Sequence, residues 1–557
     1  MQSRLFIFLS LFFVLFSFSP SLYEIAHQDR LKPIRAFELV HNFPTDYNFY
    51  LSRIRQGMEG RLTVVERYTS EIHQGSFLQE FYLILGWTGR LLQIPPRESA
   101  YVYHIARLVF GFSLLYIIGK VVQRVVATRQ WQILTFLLII TASSWPHITY
   151  ESGHLVLAGY MRWWSVVDPL IRIAFIPHLL VGQALILFIL VKATDPTIMK
   201  RPRSWLALGF LAILLGVIFP PGLLFVMSGL FVHSCIEGVF IQIGRNKIPN
   251  WKNIIIGRII LIALSVPALL YVQLIVSFYP WKRLVEFDTI HPTIYSFVEY
   301  IKSVGPLLPI GLLGIIFVFI RKKIELFVFA SWVFTWLFML YAFTLTPQTS
   351  PLRLTQMVPQ IPLGILSGFF FYELIKIIKK SKHSLSKLIL LVVSILPFIL
   401  IVYGFFMMYQ SFVGQRDFTN HKMRADVPLV PSGTYVMYPL KDFVGALTFL
   451  EKETPQNSVV LSDTTAGNYI PVYSGRTVYI GHDNTLFFEQ KIDKVRDFYA
   501  GRMTKEQAYL WLKNERISYI FFGPQEFETS GIRDLTILYS FVDLVYHNDY
   551  VTIYKIN

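Results

Sequence analysis

About eleven stretches of mostly apolar residues, each near the length a helix needs to cross a roughly 30 Å hydrocarbon core, constrain this chain more than any other feature. They fall at 5–23, 101–119, 131–148, 171–191, 204–219, 223–243, 254–277, 304–320, 325–345, 358–375 and 388–409. In lipid no water bonds to exposed backbone amides, so such stretches are expected as helices. Pro220-Pro221-Gly222 divides 204–243 into two short spans meeting at a turn, because proline removes a backbone donor. Composition agrees: 54% of the 557 residues are hydrophobic and 15% charged, against about 25% charged in soluble domains. The formal net charge is +16, but the cations sit in short clusters between apolar runs and form no single basic face, which argues against a nucleic-acid partner. With Cys235 as the single cysteine, neither an intrachain disulfide nor a cysteine-based zinc site is open to the chain.

Orientation follows from where positive charge collects. With the amino terminus cytoplasmic, alternate connections hold Lys120, Arg124 and Arg129; Lys192, Lys200, Arg201 and Arg203; Arg245, Lys247 and Lys252; Arg321, Lys322 and Lys323; and Lys376, Lys379, Lys380, Lys382 and Lys387. Residues 1–23 read as a retained helix, since their charged region would be Arg4 alone and no small-x-small cleavage signal follows. The opposite face then carries 24–100, 149–170 and the tail from 411. In that tail, β-rich runs at 458–462, 477–480, 518–522, 542–546 and 551–556 alternate with helical patterns at 486–499 and 504–515. Such alternation predicts a small α/β domain. The expected architecture is an α-helical polytopic membrane domain over 1–410, including the outer loop 24–100, followed by an extracytoplasmic α/β domain over 411–557.

The first outer segment holds the most chemistry. Tyr47, Tyr50, Leu51, Ile54 and Met58 recur at helical spacing, making an amphipathic helix suited to the membrane surface. Asp46 stands at its start, either as an N-cap or as a carboxylate held at the water–lipid boundary to activate a hydroxyl or hold a metal. Glu66, Glu71 and His73 follow closely, a set that suits either a divalent cation or a solvated loop. Arg107 lies inside the second span with His104 one turn earlier; an ion there calls for a carboxylate partner such as Glu80, or for a substrate. His178, His233 and Glu237 are read by default as pairing within the bundle. In the loop 145–168, Glu151 and His154 share a turn and offer a second acid or plain solvation. Arg162 near Trp163 and Trp164, and Lys282 and Arg283 beside Trp281, suit either interfacial anchoring or an anionic ligand. In the tail, the run from Tyr473 to Asp483 suits ligand contact or tight-turn chemistry at Gly475 and Gly481. No Walker loop, dinucleotide fingerprint or Gly-x-Ser-x-Gly elbow is present.

One helix, a long outer loop opening on an acid before a short helix, many further helices and a carboxy-terminal outer domain: this order resembles the GT-C glycosyltransferases. That superfamily uses polyprenyl-phosphate-linked sugars and includes protein O-mannosyltransferases, aminoarabinose transferases and oligosaccharyltransferases. The run Asp46-Tyr47, Gly57, Tyr68-Thr69-Ser70-Glu71, Tyr82, Gly86 and Tyr103-His104-Ile105-Ala106-Arg107 is similar to large bacterial membrane proteins of that superfamily. The first loop carries no Asp-x-Asp and the chain no Trp-Trp-Asp-type motif, which sets it apart from oligosaccharyltransferases. The resemblance implies Asp46 as the acid of the first loop, Glu71 as a second acid, and Arg353 as a contact for the lipid-linked phosphate.

The chemistry so implied is an inverting transfer of a hexose or pentose from a polyprenyl phosphate to an extracytoplasmic glycan, lipid or protein, with Asp46 as general base and a divalent metal ion as an optional cofactor. Breaking a sugar–phosphate bond develops positive charge on the sugar and negative charge on the departing phosphate. A guanidinium about 4 Å from that phosphate contributes on the order of 4 kcal/mol at an effective dielectric near 20. Arg353, Arg162, Arg172, Lys282 and Arg283 lie on the expected side. Two other readings compete: a transporter or lipid-linked-sugar flippase without transferase activity, against which no inverted repeat is visible, and a non-catalytic membrane scaffold.

Overall fold

The computed structural model describes residues 2–151, 154–161, 164–243, 250–291, 295–346, 350–381, 386–430 and 437–557. Each of the eleven apolar stretches contains a helix. Six of the described helices are long and apolar enough to cross a membrane, and two bent pairs bring the number to eight if each pair is one span. The chain is a multi-pass membrane protein. It divides into two compact units.

The first unit comprises Met1–Ser19, Arg107–Val272 and Asp288–Gln415. Prolines open its helices Pro177–Ala193, Pro202–Ile218 and Pro220–Gln242, where the missing amide hydrogen has no helical acceptor anyway. The turn expected at Pro220-Pro221 falls one residue earlier, at Phe219. Charges inside the spans are paired, as the cost of an isolated ion in lipid requires. Glu237 accepts from Arg258 at 2.6 Å and lies 3.0 Å from His233 Nε2. Arg107 donates from Nε to the Ala174 carbonyl at 2.8 Å, with its guanidinium 5.1 Å from the Phe18 ring centre. Arg172 donates to the Ile140 carbonyl at 2.9 Å, at the end of the helix Arg129–Thr141.

That helix stops at Thr141, short of the expected 148. The segment expected as a loop instead forms a hairpin of β1 (Pro146–Glu151) and β2 (His154–Gly159). Alternation of Ile148, Tyr150, Leu155 and Leu157 with Thr149 and Val156 suits a ribbon with unlike faces.

The second unit comprises Pro20–Ala106, Gln273–Phe287 and Arg416–Asn557. Its centre is a five-stranded sheet of β3 (Val459–Leu461), β4 (Thr477–Val478), β5 (Ile517–Phe522), β6 (Val542–His547) and β7 (Thr552–Ile556), in the order β4-β3-β5-β7-β6. β3 runs parallel to β4 and β5, and β7 runs antiparallel to β5 and β6. All five lie where the sequence placed β-rich runs, and the helices Phe488–Tyr499 and Lys505–Asn514 lie where helical patterns were read. Successive strand residues serve opposite faces. Leu461, Ile520, Phe522 and Tyr554 pack with Val495, Phe498 and Leu512, whereas Val460, Phe521 and Ile553 pack with Phe443, Ile470, Phe49 and Tyr68.

The last two residues come from the segment 24–100. Phe49 belongs to the helix Pro44–Met58, which is therefore core and does not lie free on a membrane surface. Its polar residues read from spacing as water-facing, yet they are buried and engaged. Asn48 donates to Asn468 at 2.8 Å, Arg53 to Glu66 at 2.5 Å and Arg55 to Glu451 at 2.8 Å.

At the carboxyl ends of β3 and β5, one buried carboxylate clasps two loops. Glu526 accepts the Asp463 amide hydrogen at 2.6 Å and the Gly523 amide hydrogen at 3.0 Å. Burial, reinforced by the charge of Asp463, pushes its carboxyl up to about 7. Because the folded value exceeds the ordinary one, the stabilisation from protonated Glu526 is complete at acid pH and is lost as pH rises through about 7. From pH 5 to 8 the β3 and β5 amides of the wild-type protein should lose hydrogen-exchange protection, by up to about 3 kcal/mol relative to Glu526→Gln. Parallel pH profiles for the two proteins would contradict this.

Candidate functional site

Asp46 lies in the first turn of the helix Pro44–Met58. The N-cap is Phe43, which makes no side-chain cap bond, so Asp46 sits inside the turn, where its charge suits the positive end of the helix dipole. Two contacts fix that turn from the helix Thr464–Tyr473: Asn468 accepts from Asn48, and its own amide donates to the Thr45 carbonyl at 3.4 Å. The Asp46 side chain is 48% exposed and faces the buried imidazole of His482, with Nε2 at 3.6 Å.

His482 is held from several directions. Its Nδ1 accepts the Asn484 amide hydrogen at 3.0 Å, which places the ring proton of the neutral imidazole on Nε2, toward Asp46. Nε2 has no hydrogen-bond partner among the described residues. The ring stacks on Phe49 with centroids 4.6 Å apart, and the Arg53 guanidinium lies 3.5 Å from the Phe49 ring centre. Close backbone approach seats the loop: a Cβ on Gly481 would lie 2.3 Å from the carbonyl carbon of Gly467, so side chains are excluded there. A carboxylate open to solvent beside a fixed N–H can be oriented by that N–H and still take a proton from a hydroxyl.

The stretch 482–491 also reaches two other candidates. Glu71 pairs with buried Lys491 at 2.7 Å and accepts from the Thr69 hydroxyl. Burial lowers the Lys491 ammonium from its ordinary value, with the Glu71 charge opposing the shift. Arg283 is buried, donating to the Asp483 carbonyl at 2.9 Å and pairing with Glu489 at 2.6 Å. Lys282 is exposed and pairs with Glu286 at 3.2 Å.

Glu66, Glu71 and His73 do not fit a metal ion. His73 accepts the Glu66 amide hydrogen on Nε2 and donates from Nδ1 to the Glu71 carbonyl, both at 2.8 Å, while Glu66 binds Arg53. Among the described residues no group of three or more His, Cys, Asp or Glu gathers where it could hold a metal.

Arg353 and Arg107 belong to the first unit. Arg353 sits in the short helix Leu352–Thr355 and pairs with Asp288 at 3.1 Å, its side chain 44% exposed. Arg162 and the side chains of Glu151 and His154 lie outside the described residues. Sequence reasoning placed His482 in a loop of undecided role and did not pair it with Asp46. Its one sequence signal is an aromatic, glycine-bounded turn just after a β-rich run. Lys491 was read only as part of a helical pattern.

No family model matches the chain, and no curated protein matches it. Among solved structures it is similar to an oligosaccharyltransferase from Archaeoglobus fulgidus, in the apo form and tethered with an acceptor peptide containing the NVT sequon via a disulfide bond. Each match has 9% identity and a TM-score of 0.48, covering 98% of this chain and 74% of that one. It is also similar to ArnT from Cupriavidus metallidurans bound to undecaprenyl phosphate, at 11% identity and a TM-score of 0.48, covering 97% of each chain.

Arg283→Ala removes two bonds from the stretch that carries His482. A hydrogen bond involving a charged group is worth about 1.5–3 kcal/mol, so amides of 482–489 should exchange about tenfold faster or more while those of Lys505–Asn514 keep their protection. Unchanged exchange in 482–489 would show that Arg283 does not hold it.

Proposed function

We propose that this chain is a membrane glycosyltransferase that moves a sugar from a polyprenyl-phosphate donor to an acceptor hydroxyl, with inversion and with Asp46 as general base. The carrying observation is the Asp46–His482 arrangement: a solvent-open carboxylate on a core helix, faced at 3.6 Å by a buried imidazole whose proton is directed at it. In the reaction Asp46 takes the acceptor proton and the acceptor oxygen bonds to the anomeric carbon. The bond from that carbon to the phosphate oxygen breaks, and its electron pair leaves with the phosphate. His482 orients the carboxylate. Glu71 is the second acid of the resemblance, and its pairing with Lys491 gives it the part of holding the loop of His482. Arg353, which pairs with Asp288, is the residue that the resemblance implies for the lipid-linked phosphate.

Purified protein in lipid nanodiscs, given undecaprenyl-phosphate-linked hexoses and pentoses with a mixed glycan, lipid and peptide acceptor pool, should release undecaprenyl phosphate. Asp46→Asn should reduce that release about 10²–10⁴-fold, the range for a positioned general base, with insertion and thermal unfolding unchanged because the side chain is half exposed. His482→Gln should give a smaller loss. Full release by Asp46→Asn would refute the assignment, and movement of the donor across a bilayer without cleavage would support a flippase instead.

A further inference from the structure

The hairpin of β1 and β2 turns an apolar face outward. Ile148 lies opposite Leu157 and Tyr150 opposite Leu155, so all four side chains share one face. They are 68%, 37%, 73% and 76% exposed, respectively. Thr149 and Val156, on the other face, are half-buried, and Ala158 beside them is buried. Among the described residues the two strands pair only with each other. Four large apolar groups kept in water on one ribbon are unfavourable by about 25 cal/mol per Å² of area, so this face calls for a cover.

The base of the hairpin indicates which cover. The Ser144 carbonyl accepts from the Tyr403 hydroxyl at 2.9 Å, and a Cβ on Gly159 would meet the Met407 sulfur at 3.7 Å. Tyr403 and Met407 lie on the long helix Ser386–Arg424, a candidate span. Its apolar stretch ends at Tyr409, so at 1.5 Å per residue Tyr403 is about 9 Å from that end and Met407 about 3 Å. Phe406 and Tyr409, at the same level, are exposed along the helix surface that continues down through Val402, Ile399 and Phe398. The hairpin therefore springs from the rim of a lipid-facing surface. Two further groups of that rim suit headgroups: Trp145, exposed at the first strand, and Lys302, half exposed, whose ammonium lies 5.6 Å from the Tyr160 ring centre and 3.5 Å from Glu299.

We propose that the β1–β2 hairpin is a membrane-contact ribbon that lays Ile148, Tyr150, Leu155 and Leu157 into the headgroup region of the bilayer. It cannot lie deeper. A two-stranded sheet keeps unpaired amides and carbonyls along both outer edges, and the hydrocarbon core offers them no partner. Headgroups and their water satisfy those edges while the apolar face meets the upper acyl chains. This inference does not depend on the transferase reading.

The test uses the full chain with Cys235→Ser and a single cysteine at Ile148, Leu155 or Thr149, each labelled with an environment-sensitive fluorophore and placed in phosphatidylcholine–phosphatidylglycerol nanodiscs. Nitroxide at the 5-position of the acyl chain should quench the labels at 148 and 155 at least twofold more than the label at 149, with little quenching by aqueous iodide. Three outcomes overturn the proposal. Strong iodide quenching at 148 and 155 puts the face in water. Protection from both quenchers means that protein, a second copy or a partner, covers it. Stronger quenching from the 12-position than from the 5-position places it in the hydrocarbon. Thermal unfolding of each labelled protein, expected within a few degrees of the parent because these positions are exposed, shows that the fold is kept.

Discussion

One face of the tail sheet is covered by residues from both ends of the chain. Val460, Phe521 and Ile553 present apolar side chains on that face, and the segment 24–100 supplies Phe49 and Tyr68 to the same core. Burial of large apolar side chains contributes about 1.5–3 kcal/mol each. Two aromatic residues from the start of the chain thus bind it to strands near the end, and the consequence is positional. The turn that carries Asp46 lies one helical turn before Phe49, and Phe49 stacks on His482. The contact that completes the core also sets an acid against an imidazole. A carboxylate so placed is held by packing, which is stiffer than a loop.

Apolar runs and β-rich alternation made the fold class legible, because both are periodic properties of neighbouring residues. The eleven stretches hold helices and the five tail strands lie where they were read. Long-range pairing was not legible. The helix Pro44–Met58 carries Asn48, Arg53, Arg55 and Gln56 on surfaces that spacing alone assigns to water. Each is buried because a partner distant in sequence, or a backbone group across a turn, satisfies it. The hairpin was hidden for a related reason, since its strands follow a span so closely that Pro146–Ile148 reads as the end of the apolar run.

The same accounting sorts several ionisable residues of the segment 24–100. Glu66 is taken by Arg53, Glu59 by Arg55 and Arg67, Glu71 by Lys491, and both nitrogens of His73 by backbone groups. Glu38 is buried beneath two tyrosine hydroxyls, Tyr469 and Tyr473, and burial holds its carboxyl above the ordinary range. Each of these groups has its charge or its lone pairs committed to the fold, and using any of them on a ligand would leave a buried partner unsatisfied at a cost of about 1–3 kcal/mol or more. That asymmetry disfavours the metal reading of Glu66, Glu71 and His73 more strongly than any consideration of ligand type.

Asp46 differs from them in what surrounds it. Its neighbour His482 is buried, with Nδ1 accepting the Asn484 amide hydrogen. At 3.6 Å, Nε2 is beyond normal hydrogen-bond range of the carboxylate, so the pair is arranged but not closed. A closed, fully buried pair would have spent the carboxylate on the fold, as Glu237 is spent on Arg258. An open one leaves its oxygens available to a proton from outside. Hydrogen bonds of catalytic groups are commonly long before substrate arrives and shorten in the reacting complex. Against Glu59, Glu66 and Glu71, which are paired, Asp46 combines an accessible carboxylate with a place inside a core helix.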